Sequence, residues 1–225
     1  MAIMTFGQLD SWDSDGSSKR ASKDDYFNIR KDGRYVVRFV DKPFRFQAHW
    51  VEPIPGGKKL KVNCAGRDCK LCKGGVIGGI KMEANQAKNY FVSLIKNCDA
   101  KRFQVFEYTR QIFEQVKRYN SSKAWGDPVN YDIEIERNVN KKPDVYQCVP
   151  QPKEPLSPED VSALEEFKAR IDLAKYTAPM DNEGIERRVL EFIQRSTLSG
   201  TAPMGVIAAA ATTKAAEVDT DFDFN

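Results

Sequence analysis

Three cysteines fall within nine residues, Cys64-Ala65-Gly66-Arg67-Asp68-Cys69-Lys70-Leu71-Cys72. The two-residue gap of Cys69-x-x-Cys72 lets two thiolates meet one ion while the N–H groups of the loop turn toward the sulfurs. Cys64 supplies a third sulfur from just upstream, and Gly66, Gly74 and Gly75 give the segment its turns. Residues 1–18 hold neither a basic n-region nor an apolar h-region, so the sequence predicts no signal peptide and a cytoplasmic chain. In that compartment the five cysteines are reduced thiols or metal ligands rather than disulfides. The spacing therefore predicts one structural zinc ion.

A structural zinc site takes four ligands. The candidates for the fourth are His49, Cys98 and Cys148. His49 is the single histidine. It falls on the polar phase of a strand, opposite Phe46, Ala48 and Trp50, and so is not an obvious core residue. The expected set is His49, Cys64, Cys69 and Cys72, with Cys98 in a hairpin turn as the second choice. Cys148, in a strand, reads as a small buried hydrophobe. One imidazole and three thiolates leave no open position, which argues against zinc catalysis. His-Glu-x-x-His, Gly-x-Ser-x-Gly and the phosphate-binding loop are all missing. Gly74-Gly75-Val76-Ile77-Gly78-Gly79 lacks the spacing of a dinucleotide fingerprint and reads as a flexible connection. His49 is followed by Trp50 and Val51, which excludes the His-x-Glu of a zinc deaminase. No enzymatic activity is expected.

From Arg34 to Pro150 the hydrophobic period is two. Tyr35, Val37 and Phe39 alternate with Val36, Arg38 and Val40. Val129, Tyr131, Ile133 and Ile135 alternate with Asn130, Asp132, Glu134 and Glu136, the pattern of a half-buried strand. Residues 90–96 and 103–108 are apolar runs joined through a turn at 97–100. One helix interrupts the strands, with Thr109 as its cap and Ile112, Val116 and Tyr119 at helical spacing. This mixture predicts a mainly β fold with added helices, an OB-fold barrel core carrying a zinc-binding loop. A β-sandwich is the competing architecture. Residues 150–155 read as an extended linker. Ser157-Pro158-Glu159-Asp160 is a helix start, and a second helix is expected from about Glu183 to Arg195. The expected organisation is a flexible arm at 1–25, a core at 26–198 and an Ala-rich, acidic tail at 199–225. The core would hold a zinc subdomain at about 46–80 and a helical part at about 157–197. No segment reaches the roughly 18 uninterrupted apolar residues of a membrane span.

Charge is unevenly divided. The chain of 225 residues has a net charge of +3, but residues 19–149 carry 27 Lys+Arg against 15 Asp+Glu. Residues 150–225 carry 8 against 14. A basic body predicts a polyanionic partner. Its cations are interleaved with rings, as single-stranded nucleic acid requires: cations track the phosphates and flat rings stack on bases. The candidate contacts are Arg34, Tyr35, Arg38, Arg45, Trp50, Lys88, Tyr90, Arg102, Tyr108, Arg110, Lys117, Tyr119 and Trp125. Aromatics also favour strands for packing alone, so a share of these rings fills the core.

In order, the chain presents a basic-hydroxyl run, a histidine, three clustered cysteines in an aromatic-basic β region, an Ala/Gly-rich segment and an acidic end. This order resembles the single-stranded-DNA-binding, helix-destabilising replication proteins of tailed phages. Phe103-Gln104-Val105-Phe106-Glu107-Tyr108 leading into Ile112-Phe113 is similar to that family's strand–helix step. Asp127-Pro128-Val129-Asn130-Tyr131-Asp132-Ile133 is similar to its following strand. The segment Gly200-Thr201-Ala202-Pro203-Met204-Gly205 is similar to the one before its acidic tail. The likeness implies an OB-fold core, a structural zinc, cooperative coating of single-stranded DNA during replication, recombination and repair, and tail contacts with replication enzymes. It places self-association on Lys19, Arg20, Ser22 and Lys23. The partner-binding tail would be Asp219, Asp221, Phe222, Asp223 and Phe224. An RNA-binding or transcription-associated zinc module is the alternative, because stacking and phosphate contacts do not require a deoxyribose.

Overall fold

The computed structural model describes residues 22–198. In chain order the strands are β1 (Tyr26–Phe27), β2 (Gly33–Phe39), β3 (Phe44–Val51), β4 (Leu60–Asn63), β5 (Gly75–Ile77), β6 (Ile80–Met82), β7 (Lys88–Asn97), β8 (Arg102–Tyr108), β9 (Tyr131–Arg137) and β10 (Tyr146–Lys153). The helices are α1 (Lys70–Lys73), α2 (Arg110–Asn120), α3 (Pro158–Arg170), α4 (Leu173–Thr177) and α5 (Asn182–Leu198). The chain divides into two compact bodies. Among the described residues, one comprises 22–46 and Asn89–Ala178; the other comprises Gln47–Lys88 with 179–198.

The first body is built on a mixed sheet in the order β1-β8-β7-β2-β9-β10. β1 runs parallel to β8, and the other pairs are antiparallel. Alternation explains the burial. Tyr35, Val37 and Phe39 of β2 and Tyr131, Ile133 and Ile135 of β9 point to one core, with Phe91, Phe106 and Tyr108. Helix α2 covers that core with Ile112, Phe113, Val116 and Tyr119. Phe113 lies on Phe91 with ring centroids 3.9 Å apart and planes 6° from parallel. α2 also closes the outer edge of β10. Gln115 donates to the Tyr146 carbonyl and accepts the Cys148 N–H, both at 2.8 Å, and Tyr119 donates to the Cys148 carbonyl at 2.8 Å. Pro150 and Pro152 lack the donors that would let this edge recruit another strand.

Sheet and helices are thus present as the periodicity predicts, but the strand pairing traces an open path. Among the described residues no pairing joins β10 to β1. The segment expected to be a linker after Pro150 instead continues β10 to Lys153, with a register shift between Pro150 and Lys153. Ser157 does cap α3, accepting the Asp160 N–H at 3.1 Å. Helix α4, too short to show a helical period, was not foreseen.

The second body has its own core. The end of β3 pairs antiparallel with β4, Ala48 opposite Asn63 through to Val51 opposite Leu60. Val51, Ile54, Leu60, Val62, Leu71 and Ile77 pack with Ile185, Val189, Phe192 and Ile193 of α5. The zinc subdomain is therefore not confined to about 46–80, because α5 supplies part of its core. The glycine-rich segment is likewise not a loose connection. β5 and β6 form a hairpin, Ile77 opposite Ile80, whose turn places Gly78 at φ +58° and Gly79 at φ +79°. Paired positive φ values are the signature of the tight turn that matches strand twist. Gly78 donates its N–H to Glu186 of α5 at 3.1 Å, and a Cβ there would lie 2.6 Å from Leu190 Cδ2. Gly78→Ala is expected to cost this body about 1–3 kcal/mol, from backbone strain and that collision together. Gly56, also at positive φ (+70°), has open space around it. In urea titrations Gly56→Ala should therefore be the milder of the two.

Candidate metal centre

The four expected ligands come together in the second body. The imidazole and thiol donor atoms of His49, Cys64, Cys69 and Cys72 all lie within 4.8 Å of one another. His49 is fully buried on β3, opposite Val62 of β4. The polar-phase expectation for this residue fails because β3 becomes buried on both sides at this end. Cys64 follows β4 directly and is fixed by its N–H, which donates to the Gln47 carbonyl at 2.8 Å. Gly66, at φ +82°, turns the chain so that its own N–H points at the Cys64 Sγ, 3.4 Å away. Cys69 precedes the single turn α1, and Cys72 lies within it.

The separations fit a tetrahedral ion. Zinc–sulfur and zinc–nitrogen bonds of about 2.3 and 2.0 Å give tetrahedral edges of about 3.8 Å for S···S and about 3.5 Å for S···N. Cys64 Sγ and Cys72 Sγ are 3.7 Å apart. His49 Nε2 lies 3.3 Å from Cys69 Sγ and 3.6 Å from Cys72 Sγ. A disulfide would require about 2.05 Å, and all five cysteines are free.

Electrostatics favour a neutral imidazole and make the Cys69 thiol easier to ionise than an ordinary one. Burial pulls the His49 pKa below its ordinary value, against an opposing effect of the Asn85 main chain. Its Nδ1 is buried without a hydrogen-bond partner. Burial pushes the Cys64 thiol up to about 12, with Cys72 and Cys69 adding to the effect. Cys69 moves the other way. Burial raises its pKa, but the main-chain groups of Ala65, Cys72 and Leu71 outweigh this and hold it below the ordinary thiol range. Three thiols this close cannot all ionise without a cation among them.

Cys98 and Cys148 belong to the other body. Cys98 follows β7, where burial and the nearby Asp132 carboxylate push its thiol up to about 12. Cys148 is buried in the sheet core, and burial pushes its thiol to about 12. Neither joins the cluster.

The expected nucleic-acid contacts divide sharply. Two need correction. Arg38 is 4% exposed, with its Nε donating to Asp132 and its Nη1 to the Glu154 carbonyl, both at 2.6 Å. It braces β2 against β9 and the segment after β10. Tyr108 is also 4% exposed, and its hydroxyl shares a hydrogen bond with Ser93 at 2.8 Å. Its ring packs on Phe39 and Phe106 and offers no free face. Arg34 is exposed but meets Glu134 at 3.6 Å. Tyr35 and Tyr119 are half-buried, with hydroxyls on the Lys31 and Cys148 carbonyls. Trp125 is half-buried against Tyr131, and Tyr90 against Phe46.

Besides Arg34, the exposed cations among these candidates are Arg45, Lys88, Arg102, Arg110 and Lys117. Arg45 is held by Asn89 Oδ1 at 2.9 and 3.1 Å. Arg110 pairs with Glu114 at 3.2 Å, and Arg102 with Asp24 at 3.8 Å. Trp50 and Lys88 belong to the metal body, and the other candidates to the sheet body. Sequence reading passed over Phe44, which is 36% exposed beside Arg45. Its signal was alternation, which put it on the same phase as the buried Phe46.

Of the self-association residues, Lys19 and Arg20 lie outside the described residues. Ser22 is exposed and donates its N–H to Asp25 Oδ2 at 2.6 Å, ahead of a single turn that begins at Lys23. Asp219, Asp221, Phe222, Asp223 and Phe224 also lie outside the described residues. Among those described, no helix is long and apolar enough to cross a membrane. Comparison with protein-family models, with curated proteins and with solved structures finds no match to this chain.

Proposed function

We propose that this chain is a single-stranded-DNA-binding protein that coats unpaired strands during phage replication, recombination and repair, with one structural zinc in the His49–Cys64–Cys69–Cys72 centre. The observation that carries the reading is the excess of 27 cations over 15 acids in residues 19–149, interleaved along the sequence with aromatic rings that are half-buried in the structure. Phosphates are neutralised by the cations, and bases stack on rings without regard to sequence. The exposed ion pairs of Arg102 and Arg110 are worth no more than about 1 kcal/mol, so a phosphate can displace the carboxylate.

Zinc supports this role without entering it. Four protein donors close the coordination sphere, so the ion holds the loop and leaves no position for substrate. An OB-type core is part of the reading. The strands β2, β7, β8, β9 and β10, with α2 inserted before β9, would form the partly open barrel of such folds. Contacts with replication enzymes through the acidic end, and self-association through Lys19, Arg20, Ser22 and Lys23, complete the proposal.

The test is competition binding among single-stranded DNA, single-stranded RNA and duplex DNA of one length. Single-stranded DNA should win. Stacking contributes roughly 1–3 kcal/mol per base, so each base withheld from a ring should weaken duplex binding by about tenfold. Equal affinity for duplex and single strand would overturn the stacking mechanism. Preference for RNA would favour the RNA-binding reading instead.

A further inference from the structure

The metal body draws one element from far along the chain. Asn182, the first residue of α5, lies 112 residues beyond Lys70. Its Oδ1 accepts the Lys70 N–H at 2.9 Å, and its Nδ2 donates to the Asp68 carbonyl at 2.9 Å. A main-chain N–H can only donate and a carbonyl can only accept, so the amide has one orientation that satisfies both. These two groups flank Cys69, whose φ and ψ are −61° and 118°. Pinning them fixes the backbone on both sides of the residue and so the direction of its Cα–Cβ bond. The Cys69 Sγ then lies 3.3 Å from His49 Nε2.

The rest of α5 is arranged around the same loop. Ile185, Val189, Phe192 and Ile193 share a core with Cys64 and Cys69. Helix initiation does not depend on Asn182. Asp181 accepts the Gly184 N–H at 2.6 Å on its side chain and the Ile185 N–H at 3.0 Å on its carbonyl. Replacing Asn182 therefore removes the clamp and leaves the cap in place.

We infer that Asn182 is a positioning residue of the metal centre, holding the peptide groups on either side of Cys69 so that its thiolate meets the ion shared with His49, Cys64 and Cys72. This rests on the metal reading above. It gives α5 a second task besides packing, which is to keep the loop closed on its ion.

The experiment follows zinc release from the full-length, zinc-loaded protein into excess chelator. It compares the wild type with Asn182→Ala, Asn182→Asp and the packing control Ile193→Val. Outer residues that orient metal ligands typically change affinity by 10–100-fold, so Asn182→Ala should release zinc about tenfold faster than wild type. Asn182→Asp keeps an acceptor for Lys70 but loses the donor to Asp68, and should fall between. Asn182→Ala should release zinc faster than Ile193→Val even where the two melting temperatures fall equally. The cobalt(II)-substituted proteins give a second readout: the d–d bands of Asn182→Ala should shift and those of Ile193→Val should not. Release from Asn182→Ala at the wild-type rate, or no faster than from Ile193→Val, overturns the positioning role alone. A wild-type protein that takes up no zinc overturns the metal reading as well.

Discussion

Cys69→Ser protein is expected to be isolated without zinc and with its metal body unfolded. Cys69 is fully buried, and its thiol sits among the other three donors. A serine hydroxyl is a poor zinc ligand and would leave three donors around an ion that takes four in structural sites. The apparent binding free energy of structural zinc is about 10–16 kcal/mol, as large as the total stability of a typical domain. Two buried members of the core around the centre, Cys64 and Cys69, belong to the proposed ligand set. Losing the ion therefore removes cohesion that Val51, Leu60 and the α5 face do not replace. The sheet core built on Phe39, Phe91 and Ile133 contains none of these ligands. Elemental analysis should find about one zinc per wild-type chain and none in Cys69→Ser. Hydrogen exchange should show loss of protection in β4 and α5 while β7 and β9 stay protected. His49→Ala should behave as Cys69→Ser does, and Cys98→Ser should keep its zinc. Full zinc in His49→Ala together with loss in Cys98→Ser would show that the ligand set is wrong.

The clustering of His49 with the three cysteines was legible because its signal is local or chemically unambiguous. Cys64, Cys69 and Cys72 lie within nine residues, and a single histidine leaves little choice for an imidazole ligand. Asn182 had no such signal. Its partners are 112 and 114 residues away, and an asparagine before a helical period reads as an ordinary helix start. The hairpin of β5 and β6 was hidden by its glycines. Gly74, Gly75, Gly78 and Gly79 outnumber the side chains between them, and composition cannot tell an ordered turn at positive φ from slack chain.

Strand alternation gave the inward residues of β2 and β9 but not the fate of the outward ones. Arg34 and Arg38 face β9, where Glu134 and Asp132 meet them, and Lys141 meets Glu136. Charge counted along the sequence includes all of these cations. Charge available to a ligand does not, because register decides which of them are already paired. Tyr108 failed for a related reason. Its neighbour Ser93, across the β7–β8 pair, gives the hydroxyl a buried partner, so the ring enters the core without exposing a polar group.

On the proposed reading, this division of the cations would govern the salt dependence of single-stranded-DNA binding. If Arg45, Lys88, Arg102, Arg110 and Lys117 each neutralise one phosphate, log K should fall against log salt with a slope near −3.5, at about −0.7 per contact on a single strand. Between 50 and 200 mM salt that slope costs about 100-fold in affinity. Lys117→Ala should lower the slope by about 0.7 and weaken all sequences alike. Arg34→Ala should change the slope less, because Glu134 is held beside it with a side chain only 26% exposed, whereas Glu114 (44%) and Asp24 (81%) are freer to turn away from Arg110 and Arg102. Arg38→Ala should leave the slope unchanged in the fraction that folds. Its effect is on stability, since Asp132 loses its partner in a site where the arginine side chain is 5% exposed and the carboxylate 25%. Breaking a buried pair on one side costs about 3–5 kcal/mol, and the partial exposure of Asp132 places the expected loss near the lower end. Fluorescence titrations of the three variants at four salt concentrations, with urea melts of each, separate the two effects. A reduced slope in Arg38→Ala with unchanged stability would mean that this arginine leaves Asp132 to bind phosphate. An unchanged slope in Lys117→Ala would remove the exposed face of α2 from the DNA path.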